Sequence, residues 1–211
     1  MRKWMGVICV FLGIACILGA VGFVVYNRWE AQNAEESSQD ILADVQRIIE
    51  EKQPQQMSDA PVNLPDHTET VPAEMPTVQV DGYDCIGILS VPVLELELPV
   101  LTEWSYAKLK KAPCHYYGTY YEKDFVIAAH NYKSHFGRLS QLQAGDIVIF
   151  TDAGGTDRYY EVVLLETLPK NATKEMIASG FDLSLYTCTP GGASRVTVRC
   201  NAVENPTDIQ S

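Results

Sequence analysis

Between Met5 and Tyr26 the chain carries no charged residue. A helix over that stretch is long enough to cross a hydrocarbon core of about 30 Å. Arg2 and Lys3 precede the run and Arg28 follows it. The basic N-terminal flank favours a cytoplasmic N-terminus. The run exceeds the apolar core of a cleaved signal peptide, and no Ala-x-Ala-like site closes it. Residues 1–28 therefore read as a cytoplasmic tip and an uncleaved transmembrane signal-anchor, with everything from Arg28 onward outside the cell membrane.

Residues 29–82 read as an acidic stem. Ile41, Leu42, Val45, Ile48 and Ile49 fall at i, i+1, i+4, i+7 and i+8, one face of a helix. Ser37 followed by Asp40 resembles a capping box, which predicts a helix start there. Pro54, Pro61, Pro65, Pro72 and Pro76 then stand among polar residues, as in a semi-extended linker whose role is reach.

Residues 83–211 hold the apolar content for one ordinary domain, expected to fold without the stem. Its runs are short, β-branched and punctuated by Pro and Gly. Strands are predicted at Cys85 to Val91, Leu94 to Leu98, Phe125 to Ala129, Asp146 to Phe150, Tyr159 to Leu168, Ser184 to Cys188 and Arg195 to Val203. Short helices are predicted at Trp104 to Lys111 and Thr173 to Ser179. Many short strands with few helical turns indicate a mainly β, closed or nearly closed barrel.

Composition narrows the function. All 27 acidic residues follow the anchor, and the formal net charge is −11. A nucleic-acid partner would want a basic stripe, so none is expected. Cys9 and Cys16 lie in the anchor; Cys85, Cys114, Cys188 and Cys200 lie outside. Two disulfides are possible in an oxidising compartment. Without a dense cysteine framework, at least two of Cys85, Cys114 and Cys200 read as small buried hydrophobes. Cys114, His115, His130 and Cys188 lack the closely spaced ligand pairs of structural zinc sites, so no metal and no cofactor is expected.

Cys188 differs from the other cysteines. It ends a strand-like run between two threonines, directly before Pro190-Gly191-Gly192, and Arg195 opens the next run. Antiparallel pairing of those runs sets a thiol beside a guanidinium. A nearby cation favours the nucleophilic thiolate, and arginine can donate to a developing oxyanion. His130 ends the run Val126-Ile127-Ala128-Ala129, and its ordinary pKa suits alternating acid and base roles. His135, in a polar loop, is the rival with a less fixed orientation. His115 reads as a packing or substrate-wall residue; Thr187 and Ala129, adjoining the pair, complete the candidate substrate-binding set.

These residues carry a resemblance. Ala129-His130, then Leu185-Tyr-Thr-Cys188-Thr-Pro, then Arg195, behind an N-terminal anchor, resemble the sortases, cysteine transpeptidases of Gram-positive surfaces. The resemblance spans about Tyr83 to Val203. It implies an eight-stranded β-barrel, with Cys188 as nucleophile, His130 as general acid/base and Arg195 steadying substrate and oxyanion. It also implies cleavage of a Leu-Pro-x-Thr-Gly-like C-terminal sorting signal on surface proteins, through a thioester. Transfer would follow to an amine of a cell-wall precursor or a pilin. Asn131 to Leu139 is similar to class B, Thr-Cys-Thr-Pro-Gly-Gly to classes C and D, and the Asp-Pro of pilus-assembling lids is missing. The alternatives are an extracellular cysteine peptidase, an L,D-transpeptidase and a non-catalytic membrane-anchored β-barrel binding module. Papain-like enzymes place cysteine before histidine, the reverse of the order here. L,D-transpeptidases resemble Ser-x-Gly-Cys-x-x-x-Arg, a spacing this chain lacks.

Overall fold

The computed structural model describes residues 2–58 and 74–206. Its sheet contains nine strands: β1 Val78–Val80, β2 Tyr83–Val91, β3 Leu96–Leu101, β4 Cys114–Tyr117, β5 Phe125–Ala129, β6 Ile147–Asp152, β7 Asp157–Pro169, β8 Leu183–Cys188 and β9 Ser194–Val203. The helices are α1 Arg2–Ser58, α2 Tyr106–Leu109 and α3 Thr173–Ile177.

The strand order is β1-β2-β3-β4-β5-β8-β9-β7-β6, and β6 returns to pair with β2. Eight strands, β2 to β9, thus close a barrel, as expected, with β1 added along the first part of β2. Closure depends on Gly87. A Cβ there would stand 2.1 Å from the Thr151 carbonyl oxygen on β6, so only a hydrogen lets the two backbones meet. Alternation fills the interior with Leu89, Leu98, Phe125, Ile127, Phe150, Leu183, Leu185 and Val198, all buried. The sequence pattern missed β1 and β4. At three and four residues they are too short to show a period, and pairing with β2 and β5 makes them strands.

Helix α1 differs from the expected anchor, stem and linker. It runs without a break for 57 residues, about 85 Å at 1.5 Å per residue. Ser37 does not start it: the helix passes straight through, and the Ser37 hydroxyl accepts a bond from Lys111 Nζ at 3.1 Å. It also continues past Pro54 to Ser58. The rest of the linker, residues 59–73, lies outside the described residues. From Val10 to Val25 its large apolar side chains are exposed, and that part is long and apolar enough to span a membrane.

Further along, the apolar face predicted from the spacing is buried. Ile41, Leu42, Val45 and Ile49 pack with Val78, Val80, Cys85, Ile88, Leu101, Cys114 and Ala128. These form a second core on the outside of the barrel. Cys85, Cys114 and Cys200 are free thiols with no exposed surface. Burial pushes each of these thiols up to about 12, so they stay protonated and act as apolar filling.

Candidate active site

Strands β8 and β9 pair antiparallel and bring Cys188 opposite Arg195. The intervening loop reverses through two consecutive residues at positive φ, Gly191 at 83° and Gly192 at 72°, a conformation glycine adopts without the Cβ clash. Thr189 closes the loop. Its amide donates to the Ser194 carbonyl at 3.0 Å, and its carbonyl accepts from Gly192 at 2.7 Å. Arg195 Nη1 donates to the carbonyls of Gly192 and Ser194 at 3.2 and 3.0 Å. The loop thus holds the guanidinium through its own carbonyls, on the residue that faces Cys188 across the two strands.

The histidine arrives on the neighbouring strand. Strand β5 runs parallel to β8, and their last rung pairs Ala129 with Thr187. His130 and Cys188 are the next residues of each strand. The Thr187 hydroxyl donates to the Ala129 carbonyl at 2.8 Å, stapling the two strands one residue before the histidine and the thiol. Both stapled residues are buried. The structure therefore brings Cys188, Arg195 and His130 together at one end of the barrel, with Thr187 and Ala129 supporting them. His115 stands elsewhere: its Nε2 donates to the Gly118 carbonyl at 2.7 Å, and its ring lies against Phe125.

His130 is half-buried, and its Nε2 is shielded from solvent without a hydrogen-bond partner. Burial holds its pKa below the ordinary value; Glu30 opposes that shift and Lys110 adds to it. Glu30 belongs to α1 and pairs with Lys110 at 2.6 Å, so the long helix reaches the histidine's electrostatic surroundings. The imidazole lies against Tyr132 at a tilt of 40°, with centroids 4.9 Å apart, and Tyr132 lies 5.6 Å from His135. His135 is fully buried, contrary to the loose placement expected of a polar loop. Phe136 and Leu139 are buried beside it in a 3-10 turn and draw the segment inward.

Two grooves flank the Cys188–Arg195 pair. One, of about 220 Å³, is lined by Asn131, Phe136, Gly137, Ser140, Cys188 and Pro190, among others. The second, also about 220 Å³, is lined by Trp104, Tyr106, Tyr116, Met176, Tyr186 and Arg195, with Lys170 at its edge. Trp104, Tyr116 and Tyr186 form an edge-to-face series at 6.0 and 5.4 Å. The sequence reading missed these aromatics. One signal was present: Tyr186 lies two residues before Cys188, hence on the same strand face.

A cysteine opposite an arginine on the neighbouring strand, a histidine at the end of the strand on the other side and an aromatic trough beside them suit acyl transfer on an extended peptide. The family model for the sortase domain matches residues 89–203. Solved structures with similar folds include sortase C1 of Streptococcus agalactiae, 24% identical with a TM-score of 0.53, covering 60% of this chain and 72% of that one. A sortase D5 transpeptidase of Clostridium perfringens is 16% identical with a TM-score of 0.57, covering 80% and 99%. Sortase A of Corynebacterium diphtheriae is 19% identical with a TM-score of 0.52, covering 90% and 100%. No curated protein sequence matches the chain.

Proposed function

Because the chain belongs to the sortase family, a family of transpeptidases, we propose that it is a membrane-anchored cysteine transpeptidase using Cys188, His130 and Arg195. The observation that carries this reading is the cross-strand pair Cys188–Arg195, with His130 one residue beyond the Ala129–Thr187 rung.

The Cys188 thiolate attacks the carbonyl carbon of the scissile peptide bond. Arg195 donates to the oxyanion that forms, and its loop carbonyls hold the guanidinium in place so that little reorganisation is needed. As the carbon–nitrogen bond breaks, His130 gives its proton to the leaving amine, and a thioester remains. An acceptor amine then attacks the thioester and His130 takes up the proton released. Cys188 leaves as thiolate, and a new amide is made. The lowered pKa of His130 reduces the share of molecules whose imidazole is protonated and ready to donate at neutral pH.

The acyl donor is a Leu-Pro-x-Thr-Gly-like C-terminal sorting signal on a surface protein, cut after the threonine. The rings of Trp104, Tyr116 and Tyr186 in the trough beside Arg195 suit its leucine and proline. The acceptor is an amine of a cell-wall precursor or a pilin. The apolar part of α1 anchors the chain with the N-terminus in the cytoplasm and the barrel outside.

Replacing the nucleophile tests the reading. Cys188→Ala should abolish peptide cleavage and adduct formation; cleavage by that variant would overturn the assignment. Arg195→Lys retains the charge but loses the planar fork of donors. Its turnover should fall by about 10²–10³, while iodoacetamide still labels Cys188. Near-native turnover would mean that charge alone suffices.

A further inference from the structure

We propose that the Cys188 end of the barrel is seated on the anionic headgroup layer of the bilayer that holds α1. This rests on reading the apolar part of the helix, up to Tyr26, as membrane-embedded. Three independent features lead to it.

The first is the unbroken helix. An extended linker would let the barrel float at any height, but α1 passes from the apolar run into the docked face without a break. Its contacts therefore act as a ruler. Glu30, which holds Lys110 at 2.6 Å, stands four residues past Tyr26, about 6 Å along the axis. Ser37, which holds Lys111, stands about 17 Å along it, and Gln46, bonded to Glu97 at 3.0 Å, about 30 Å. The headgroup zone of one leaflet is about 5–8 Å thick. Lys110, within the electrostatic reach of His130 and Tyr132, thus lies at headgroup height when the helix stands along the bilayer normal.

The second is charge. The segments that adjoin the strands beside Cys188, His130 and Lys110 are residues 102–113, 130–138, 170–177 and 189–195. They contain Lys108, Lys110, Lys111, Lys133, Arg138, Lys170, Lys174 and Arg195, half of the 16 basic residues in the chain. Two of the 27 acidic residues fall in them, Glu175 and Glu103, which holds Lys108 at 2.8 Å. In a chain of net charge −11, basic residues still outnumber carboxylates at this rim even with Glu30 on Lys110 and Glu103 on Lys108, and the excess suits an anionic surface within a Debye length.

The third is the aromatic pair Tyr26 and Trp29, with centroids 6.3 Å apart and both exposed. They stand where the apolar run ends, as interfacial anchors do. A peptide cut close to its own membrane span, or an amine on a lipid carrier, would then meet Cys188 without leaving the surface.

The test uses the full chain in phosphatidylglycerol vesicles containing a headgroup-linked nitroxide lipid. A fluorophore is placed at Lys133→Cys, or for reference at Asp157→Cys, about 40 Å away along β7 from its rim end. Cys9, Cys16 and Cys188 are replaced by alanine. Quenching at position 133 should exceed that at 157 by at least about twofold, since quenching decays over a distance comparable to the headgroup zone. A polar helical heptad inserted between Asn27 and Arg28 raises the barrel by about 10 Å and should erase the difference. The same insertion with Cys188 intact should still cleave soluble peptide, which shows that the barrel is folded. Phosphatidylcholine vesicles should reduce the difference. Equal quenching at the two sites in a chain that floats with the vesicles would overturn the seating alone. Failure to float would overturn the anchor as well. A difference that survives the heptad would overturn the role of the helix, and one indifferent to lipid charge the role of the basic rim.

Discussion

Arg199 Nε donates to a carboxylate oxygen of Glu166 at 2.8 Å, from a side chain that is 2% exposed. The same guanidinium donates to the Ser184 hydroxyl at 2.8 Å and to the carbonyls of Glu175 and Met176 at 2.7 and 3.4 Å. It therefore ties α3 to the outer face of β9, four residues from Arg195. Met176 and Thr173 line the aromatic trough, so the buried charge positions one of its walls.

Removing that charge should loosen the wall. Arg199→Met leaves Glu166 and two α3 carbonyls without their donor; because Glu166 is 31% exposed, the loss should fall below the about 3–5 kcal/mol typical of breaking a fully buried pair. Arg199→Lys keeps the charge without the fork and should retain more stability. In the lysine variant KM for a peptide substrate should rise more than kcat falls, and iodoacetamide labelling of Cys188 should be unchanged. A change in kcat alone would show that α3 does not bear on substrate binding.

The Glu30–Lys110 pair should tune the acid. Burial is the largest influence on His130 and lowers its pKa, Glu30 raises it and Lys110 lowers it. Glu30→Gln should therefore lower the His130 pKa further, and Lys110→Met should raise it. Proton donation by His130 is lost as pH rises through its pKa. The alkaline limb of kcat/KM should thus move to lower pH in Glu30→Gln and to higher pH in Lys110→Met. Shifts of the same sign would disconnect the helix from the site.

His135 should make the fold sensitive to acid. Burial, then the neighbouring His130, push its pKa from the ordinary 6.5 down to about 4, while the backbone of Ala34 in α1 opposes them weakly. The depressed value means that the unfolded chain binds this proton first. Stability is full above pH 6.5 and falls as pH drops from 6.5 towards 4, by about 3 kcal/mol at most. His135→Phe should flatten this part of the stability curve relative to the parent, measured by urea unfolding at each pH. Parallel curves for the two chains would mean that His135 does not titrate with folding.

Truncation tests where the folding unit begins. A chain starting at Tyr83 lacks Ile41, Leu42, Val45 and Ile49, each worth about 1.5–3 kcal/mol when fully buried, and also lacks β1. It exposes Ile88, Leu101 and Ala128, which these side chains cover. Such a fragment should aggregate or melt well below one starting near Trp29. Equal melting temperatures would assign the helix to anchoring alone.

The local signals in the sequence were strong where one residue type or period admits one reading. The uncharged run ending at Tyr26, the short apolar runs of β2, β3 and β5 to β9 and the Cys188-to-Arg195 turn each specify their own geometry over a few residues. The i, i+4 face of Ile41, Val45 and Ile49 told that a helix buries one side. It did not tell against what, because amphipathicity carries no address. That the partner is the outside of the barrel, through Val78, Cys85 and Leu101, was decided by tertiary packing. The same packing carries the helix through Ser37, whose capping preference is worth less than the apolar surface buried on either side of it. Burial of His135 and the clamp of Arg199 on α3 were likewise invisible. Each joins segments distant in the chain, and a polar residue in a polar loop looks the same in sequence whether water or a helix covers it.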